Sequence, residues 1–288
     1  MSINLSSVAQ QQFDDDVKHA FQTAGSLRDT VTVRNGVVGD IYKFRKMGKG
    51  LANQKATQAD VTPMDVSHSL INCTLENWNA PEYTDIFDAA EVNFDEQREL
   101  AQTIAGALGR RLDQLIIDAL AAESSPAGTI AHGSAGMTVA KVVEASKHLN
   151  DKGVPSSDRH FAVSAAGLED LLNISTVTSS DYNSVKALMS GEIDTWMGFK
   201  WHIIESRSEG GLPYASSTWE GFAWHKSAIG LAVGIDIKTE VNYIAQKTSW
   251  LCNGVMKAGA VSRDGDGSGS VSYQEGVIIM AYALRGLQ

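Results

Sequence analysis

One segment near the C-terminus carries oxygen-bearing side chains at the spacing of a twelve-residue calcium loop. Positions 1, 3, 5, 6, 8, 9 and 12 of such a loop are matched by Asp264, Asp266, Ser268, Gly269, Val271, Ser272 and Glu275. Calcium takes about six to eight oxygen ligands, and three carboxylates, one hydroxyl and one backbone carbonyl would supply much of that shell. The candidate metal ligands are therefore Asp264, Asp266, Ser268, Ser270 and Glu275.

The context of this segment differs from that of an EF-hand, in which an amphipathic helix precedes the loop. Residues 254–263 instead contain Gly254, Gly259 and the two β-branched residues Val255 and Val261 in strand-like order. A terminal hairpin from Val255 to Leu284 would place the segment at its tip, where glycine permits positive φ and aspartate favours turns. We therefore favour an empty hairpin tip over a bound ion, and we expect no cofactor.

Recognisable catalytic motifs are missing from the sequence. It contains no G-x-S-x-G nucleophile elbow, no G-x-x-x-x-G-K-[ST] phosphate loop and no H-E-x-x-H zinc pair. His202 and His225 each follow a tryptophan inside an apparent strand, and we interpret them as packed or solvent-facing residues rather than catalytic ones. We expect no enzyme activity. The alternative is an enzyme, namely a hydrolase whose catalytic residues are scattered in the sequence and come together only in the fold.

The two cysteines, Cys73 and Cys252, lie far apart and belong to no C-x-x-C pair. This pattern supports neither a disulfide scaffold nor a zinc site, so we interpret both as small apolar residues and expect a reducing compartment. Residues 1–12 are polar and do not resemble a signal peptide, and no stretch approaches the roughly 18 apolar residues of a membrane span. We expect no membrane association.

The composition is that of a folded protein with an acidic surface. The 288 residues are 43% hydrophobic and 20% charged, with 26 glycines and 5 prolines, which excludes collagen-like and proline-rich disordered classes. The formal net charge is −10, whereas sequence-independent DNA binding needs clustered Lys and Arg. One basic segment runs from Lys43 to Asp60. It could contact nucleic acid, but given the net charge we favour a projecting, solvated loop that meets an acidic neighbour.

An arm and several strands are predicted in the first 75 residues. We interpret residues 1–30 as an extended arm. The β-branched run from Thr30 to Ile41 is interrupted by Asn35-Gly36, the strongest two-residue hairpin signal. Strand-like alternation returns from Val66 to Leu75, which makes the basic segment the tip of a long two-stranded arm. An isolated hairpin has no second layer on which to bury an apolar face, so this arm needs a partner surface.

A long amphipathic helix follows. Asn93 can cap its start, and Glu96 lies three residues later in capping-box position. Apolar residues then recur every three or four positions, which predicts one helix from about Phe94 to Ala122, roughly 40 Å long. Such a helix would be the spine of the fold. Its apolar stripe consists of Leu100, Ile104, Leu108, Leu112, Leu115 and Ala119, with Asp113 among the charged residues off the stripe.

Shorter elements fill the remainder of the chain. Residues 124–136 are rich in glycine and serine and are interpreted as a linker or tight loop, and a helix begins at Thr138 and ends at Lys152-Gly153. A strand at 161–163 precedes a helix at 165–172. Further strands are predicted at 200–205, 221–225, 228–233 and 237–244. Helices before strands indicate an α+β fold.

An ordered set of segments carries a family resemblance. The segments are Arg159–Val163, Gly167–Leu172, Ser180–Tyr182, Gly191–Ile193, Met197–Trp201, His225–Gly230, Lys238–Glu240, Gly259-Ala260 and Gly276–Ile279. In their order more than in their identity, they resemble the major capsid proteins of tailed bacteriophages, most of all those of short-tailed phages. The resemblance extends from roughly Val31 to Leu284. Trp201 departs from the family's "gly-phe-x-val" turn, in which valine takes that position.

The resemblance implies the α+β Hong Kong 97-like capsid fold, with an N-terminal arm, an extended β-hairpin loop, a long spine helix, and peripheral and axial domains. The implied boundaries are 1–30 for the arm, 31–92 for the extended loop and flanking strands, 93–137 for the spine helix and the first part of the peripheral domain, 138–219 for the axial domain, and 220–288 for the return strands of both domains.

The resemblance also implies a structural function. Copies would self-assemble into the pentamers and hexamers of an icosahedral phage head that encloses double-stranded DNA without sequence-specific binding. The implied partners are other copies of the chain, a scaffolding protein, the portal and a decoration protein, and the implied location is the virion capsid, assembled in the host cytoplasm. A calcium-binding protein that uses Asp264 to Glu275 is the alternative class; megadalton particles would distinguish the shell protein from it.

Overall fold

The computed structural model describes residues 25–87, 96–123, 126–172, 195–205, 209–263 and 276–283. The helices are α1 (Glu96–Ala121), α2 (Val139–Asp151) and α3 (Ala165–Leu172). The strands are β1 (Thr32–Asn35), β2 (Ile41–Met47), β3 (His68–Thr74), β4 (Glu76–Asp85), β5 (Gly128–Ile130), β6 (Arg159–Ser164), β7 (Thr195–Trp196), β8 (Phe199–Ile204), β9 (Tyr214–Ala215), β10 (Thr218–His225), β11 (Ile229–Ile244), β12 (Ser249–Ser262) and β13 (Val277–Ala283). Mixed sheets with a few helices confirm the predicted α+β class.

A four-stranded sheet in the order β1-β11-β12-β4 packs against α1. The predicted stripe of α1 is buried at Ile104, Leu108 and Leu112, and the first two lie directly over Gly254 of β12. Ile116, Ile117 and Leu120, which the stripe omitted, are also buried in this core. The helix is thus confirmed as the element that covers the sheet. Its predicted cap, Asn93, lies outside the described residues.

A second sheet has the strand order β5-β13-β10-β6-β8-β7, with β9 paired to β10. Its interior is aromatic, with Phe161, Phe199, Phe222, Trp224 and Tyr282 all fully buried. The β7–β8 turn consists of Met197 and Gly198, with φ of 51° and 83°. Positive φ at both central residues is what a tight two-residue hairpin requires, because it matches the twist of the flanking strands.

Strands β2 and β3 form a separate two-stranded sheet, the ribbon. They pair antiparallel from Ile41 opposite Thr74 to Met47 opposite His68, which confirms the predicted two-stranded arm. Contrary to the sequence prediction, Lys43 belongs to β2, and the loop begins only at Gly48. Two predicted segments, 228–233 and 237–244, are likewise one continuous strand, β11, with irregular pairing near Ile235.

The hairpin predicted at Asn35-Gly36 is wrong. Gly36 does have positive φ, but Asn35 is the last residue of β1, which pairs in parallel with β11. The N–H of Val37 then donates to the carbonyl of Val233, so the chain continues along β11 instead of folding back. Asn35-Gly36 does have the composition of a turn, but β1 pairs with the distant strand β11 of the four-stranded sheet.

The terminal hairpin predicted from Val255 to Leu284 is also wrong. Strand β12 pairs with β11 and β4, whereas β13 pairs with β10 and β5 in the other sheet. The N–H of Arg263 donates to the carbonyl of Ala228, and the N–H of His225 donates to the carbonyl of Gly276. The two strands on either side of 264–275 therefore belong to different sheets and do not form a hairpin with each other, and their near ends, Arg263 and Gly276, lie beside the turn at 225–228.

The predicted linker at 124–136 contains strand β5, and residues 131–137 fold around a buried lysine. The ammonium nitrogen of Lys141 lies 3.0–3.2 Å from the carbonyl oxygens of His132, Ala135, Gly136 and Ala281, which share its three N–H donors. Burial lowers the pKa of Lys141. Asp170 accepts from the N–H of Met137 at 3.0 Å. The lysine therefore joins this loop to β13, where the sequence alone predicted only a linker or tight loop.

Candidate self-assembly surfaces

One face of the ribbon is exposed along its whole described length. Because paired residues in an antiparallel ladder point to the same side, the register puts alternate residues of both strands on this face. All of them are exposed. We name this surface the outer hairpin face; it consists of Ile41, Lys43, Arg45, Met47, His68, Leu70, Asn72 and Thr74.

The opposite face of the ribbon is buried only at its root. Phe44, Cys73 and Leu75 pack with Ala232 of β11 in a small cluster of their own. Burial raises the pKa of the Cys73 thiol to about 11, which fits the predicted role as an apolar residue because a neutral thiol is a poor nucleophile. Cys252 is also buried, and both cysteines are free. The ribbon is thus packed on the body at one end, and in the loop beyond it the ammonium of Lys49 donates to the carbonyl of Lys152 at 3.3 Å.

Apolar side chains on the ribbon and its loop face solvent. Met47 is 66% exposed, Leu70 58%, Leu51 80% and Val61 76%. Contiguous apolar exposure of this kind marks an interaction surface. The sequence predicts only that the ribbon needs a partner. The structure adds that the outer hairpin face is the side left exposed by the described residues.

The ribbon and its loop are basic, in contrast to the rest of the chain. Residues 41–67 carry five Lys or Arg against two Asp, whereas the whole chain has a formal charge of −10. Strand β4, by contrast, is acidic. It contains Glu76, Glu82 and Asp85 with no basic residue, and it lies at the edge of the four-stranded sheet. One chain therefore offers two exposed surfaces of complementary charge.

The segment that leads into β1 is fixed by a buried carboxylate. Asp113 of α1 is 0% exposed and accepts hydrogen bonds from the backbone N–H groups of Ser26 and Leu27, at 2.9 and 3.0 Å. Arg28 makes a two-pronged ion pair with Asp236, each bond 2.8 Å long. The last residues of the predicted arm are therefore packed on the body. The periodicity of α1 gave no signal for Asp113, since an acidic residue off the apolar stripe normally faces solvent.

Replacing Asp113 by alanine is expected to destabilise the fold by about 2 kcal/mol, because the buried N–H of Leu27 would lose its acceptor. The free energy of unfolding in urea measures this loss. The matched control is Asp118→Ala on the exposed side of the same helix, which should change stability by less than about 0.5 kcal/mol. Equal stability of both variants would contradict the anchoring role of Asp113.

Two histidines lie side by side on one face of the second sheet. His160 Nδ1 and His202 Nε2 are 3.0 Å apart, and the indole of Trp224 stacks on both rings. Burial, with His202 as the next contribution, lowers the pKa of His160 to about 4. His202 is thus a packed residue, as predicted. His225 lies apart from the pair, half-buried, with its Nδ1 2.7 Å from the hydroxyl of Ser227.

The sequence-predicted metal ligands, Asp264, Asp266, Ser268, Ser270 and Glu275, lie outside the described residues. Among the residues that the structure does describe, no group of three or more His, Cys, Asp or Glu is placed to hold a metal ion. The helices of the described chain include none that is long and apolar enough to cross a membrane.

A sequence model described as "Phage capsid protein" matches residues 5–275. The chain therefore belongs to the phage capsid protein family. It is a structural major capsid protein, and its architecture is the Hong Kong 97-like fold that the sequence resemblance implied. No curated protein sequence matches the chain significantly.

Solved phage shells share this architecture over nearly their whole length. The head structure of the Helicobacter pylori bacteriophage KHP40 superposes with a TM-score of 0.78 at 11% identity, covering 98% of each chain. The capsid of the cyanophage P-SCSP1u gives 0.73 at 16% identity, covering 96% of this chain and 94% of its own. The capsid of a native GTA particle gives 0.72 at 15% identity, with 98% and 97% covered. At such identities the likeness concerns the fold.

Proposed function

We propose that copies of this chain assemble into the pentamers and hexamers of an icosahedral head that encloses double-stranded DNA without reading its sequence. The outer hairpin face carries the proposal, because it is basic and apolar and is exposed along the whole ribbon in the single chain. Light scattering and negative-stain microscopy of the expressed protein test it. Closed particles of megadalton mass are expected, and a chain that stays monomeric even with its phage's assembly factors would contradict it.

The two larger sheets suit the domain division that the resemblance implied. The four-stranded sheet with α1 corresponds to the peripheral domain and the spine, and the second sheet, which contains the described strands of 138–219, corresponds to the axial domain. The arm of residues 1–30 and the extended loop within 31–92 reach neighbouring copies. A scaffolding protein, a portal and a decoration protein complete the set of partners, and assembly takes place in the host cytoplasm.

The partner of the outer hairpin face is the acidic edge of a neighbouring copy. Lys43 and Arg45 supply the positive charge, and Glu76 and Glu82 of β4 supply the negative charge. Opposite charges across an interface fix its register and disfavour wrong partners, whereas like charges brought together repel. Because a closed shell repeats one contact at every copy, a small loss per contact is multiplied over the particle.

The double variant Lys43→Glu/Arg45→Glu is therefore expected to fold but not to form particles. Both side chains are exposed, so circular dichroism and the urea midpoint should stay close to those of the wild type, while sedimentation finds no shells. Lys147→Glu changes one exposed charge on α2; it is the single-charge control and should assemble.

Combining that double variant with Glu76→Lys/Glu82→Lys tests the identity of the partner. Restored particles are expected, since the reversed charges again attract one another. Failure of the combination, with failure of each double variant alone, would reject the β4 contact and leave the outer hairpin face without an assigned partner. Normal shells from Lys43→Glu/Arg45→Glu alone would reject the role of the face itself.

A further inference from the structure

The histidine pair is connected to the N-terminal segment through one tryptophan. His160 on β6 and His202 on β8 share a contact of 3.0 Å between ring nitrogens, and Trp224 on β10 stacks on both rings at centroid distances of 5.7 and 6.2 Å. The other side of the same indole donates a hydrogen bond of 3.1 Å from its Nε1–H to the carbonyl of Thr30. Both Trp224 and Thr30 are buried.

The contact between the two imidazoles requires that one facing nitrogen be unprotonated. In the neutral pair, one ring donates its N–H and the other accepts through a lone pair. One added proton can sit on an outward-facing nitrogen and leave this hydrogen bond intact. When both rings are protonated, however, two N–H groups of two cations would point at each other across 3.0 Å. The hydrogen bond is then lost and like charges repel, so one ring must turn away.

The charged groups around His160 mostly disfavour its protonation. Lys200 of β8 and Lys226 after β10 disfavour the charged form of His160, whereas Asp158, ahead of β6, favours it. Asp158 already lies 3.6 Å from the ammonium of Lys200. Arg159 points to the opposite side of β6, where it binds the carbonyls of Val154 and Pro155. The neighbouring strands therefore contribute more positive than negative charge.

We propose that His160 and His202 form an acid-sensitive latch that, through Trp224, holds the segment 26–31 to the second sheet. Half-buried His202 is the ring that turns toward solvent when both are charged. The indole then loses the rings that it stacks on, and its hydrogen bond to Thr30 weakens. Asp113 still binds Ser26 and Leu27, so acid loosens the segment at its Thr30 end rather than detaching it. The latch resides in the single chain and is independent of assembly.

The direction of the effect follows from the lowered pKa of His160, about 4 against 6.5 for the free side chain. Between these values the unfolded or opened state binds more protons than the closed state, so the closed state loses stability as the pH falls. The contribution is fully present above about pH 6.5 and declines toward about pH 4. The latch is closed at neutral pH and opens on acidification.

Hydrogen exchange of the full chain, followed by mass spectrometry at about pH 7.5 and about pH 5, tests the latch. After correction for intrinsic exchange rates, amides of residues 28–31 should exchange about 30-fold faster at the lower pH, because opening takes up one proton and pH 5 lies about 1.5 units below the free value of 6.5. The amides of Ser26 and Leu27, which stay bonded to Asp113, should keep their protection. Amides of residues 112–120 in α1 should keep their protection, which verifies that the fold is intact.

Two variants separate the latch from general acid sensitivity. The amide introduced by His202→Gln can donate to or accept from His160 but cannot be charged, so 28–31 should stay protected at both pH values. Trp224→Phe lacks the indole N–H and should exchange rapidly at 28–31 at both pH values, with 112–120 protected. His132→Gln, which replaces an exposed histidine between β5 and α2, should behave as the wild type does.

Equal protection of 28–31 at both pH values in the wild type would overturn the latch. So would the same acid response in His202→Gln as in the wild type. If Trp224→Phe fails to keep α1 protected, the pKa values of His160 and His202 in the wild type, measured by nuclear magnetic resonance, decide instead. Two pKa values near 6.5 would refute the shared proton, and one strongly lowered pKa would support it.

Discussion

Replacing Leu108 by aspartate is expected to abolish folding and, with it, particle formation. Leu108 is 3% exposed, in the centre of α1 over Gly254 of β12. The change removes a buried apolar side chain, which costs about 2–5 kcal/mol, and adds a carboxylate without a partner, which costs several kcal/mol more. Together these losses are comparable to the whole stability of a typical domain, about 5–15 kcal/mol.

Soluble yield and circular dichroism of the purified protein measure the outcome. Leu108→Met conserves volume and should cost less than about 1.5 kcal/mol, so it should fold and assemble. Gln102→Asp puts the same carboxylate on the exposed side of α1 and controls for its effect on the helix itself. Folded, assembled Leu108→Asp protein would show that α1 does not cover the sheet as described.

The helix and the ribbon were predictable because their signals are local. Apolar residues every three or four positions specify which side of α1 is buried, and the stripe through Ile104, Leu108 and Leu112 is the side that covers the sheet. Alternation from Val66 to Leu75 likewise specified β3, whereas the sequence pattern assigns most of β2 to the basic loop. For the ribbon, the pairing strand is adjacent in sequence. For α1, the periodicity alone defines the buried face.

The partners of other strands were not predictable from local patterns. Asn35-Gly36 has the composition of a hairpin turn, yet β1 pairs with β11, nearly 200 residues further along the chain. Strands β12 and β13 are consecutive in sequence and belong to different sheets. Alternation defines which face of a strand is buried but carries no information about the strand that lies beside it, so such pairings follow from the global packing.

The functional surfaces also include some features that the sequence predicts and others that it does not. That the ribbon needs a partner follows from its sequence, because a hairpin without a second layer cannot bury its apolar side chains. The roles of Asp113 and His160 do not follow, since each depends on residues more than 40 positions away. A buried polar residue has no periodic signature; its partners, which only the fold brings together, define what it does.

Replacing Gly259 by alanine is expected to separate the ribbon from the body. A Cβ atom on Gly259 of β12 would lie 2.0 Å from the carbonyl oxygen of Thr74 and 3.2 Å from the Cα of Leu75. Both are backbone atoms at the junction of β3 and β4, so no side-chain rotation can relieve the clash. The junction must move, and it carries Cys73 and Leu75, which pack with Ala232 at the root of the ribbon.

Gly254→Ala on the same strand is the matched control, because its Cβ would meet only side-chain atoms of Ile104 and Leu108. In open space a glycine-to-alanine change stabilises by about 0.4–1 kcal/mol, whereas overpacking costs about 1–3 kcal/mol, and more where the backbone must shift. We therefore expect a loss above about 3 kcal/mol for Gly259→Ala and a smaller loss for Gly254→Ala.

Urea unfolding and limited proteolysis of residues 48–67 measure the two variants side by side. Gly259→Ala should be cleaved faster in this loop and should yield no particles, because the outer hairpin face would no longer be held in one position. Gly254→Ala should retain a wild-type cleavage pattern, since its strain falls on α1 and leaves the root of the ribbon in place. The reverse order of stability would mean that the close contact between β12 and the β3–β4 junction does not fix the ribbon.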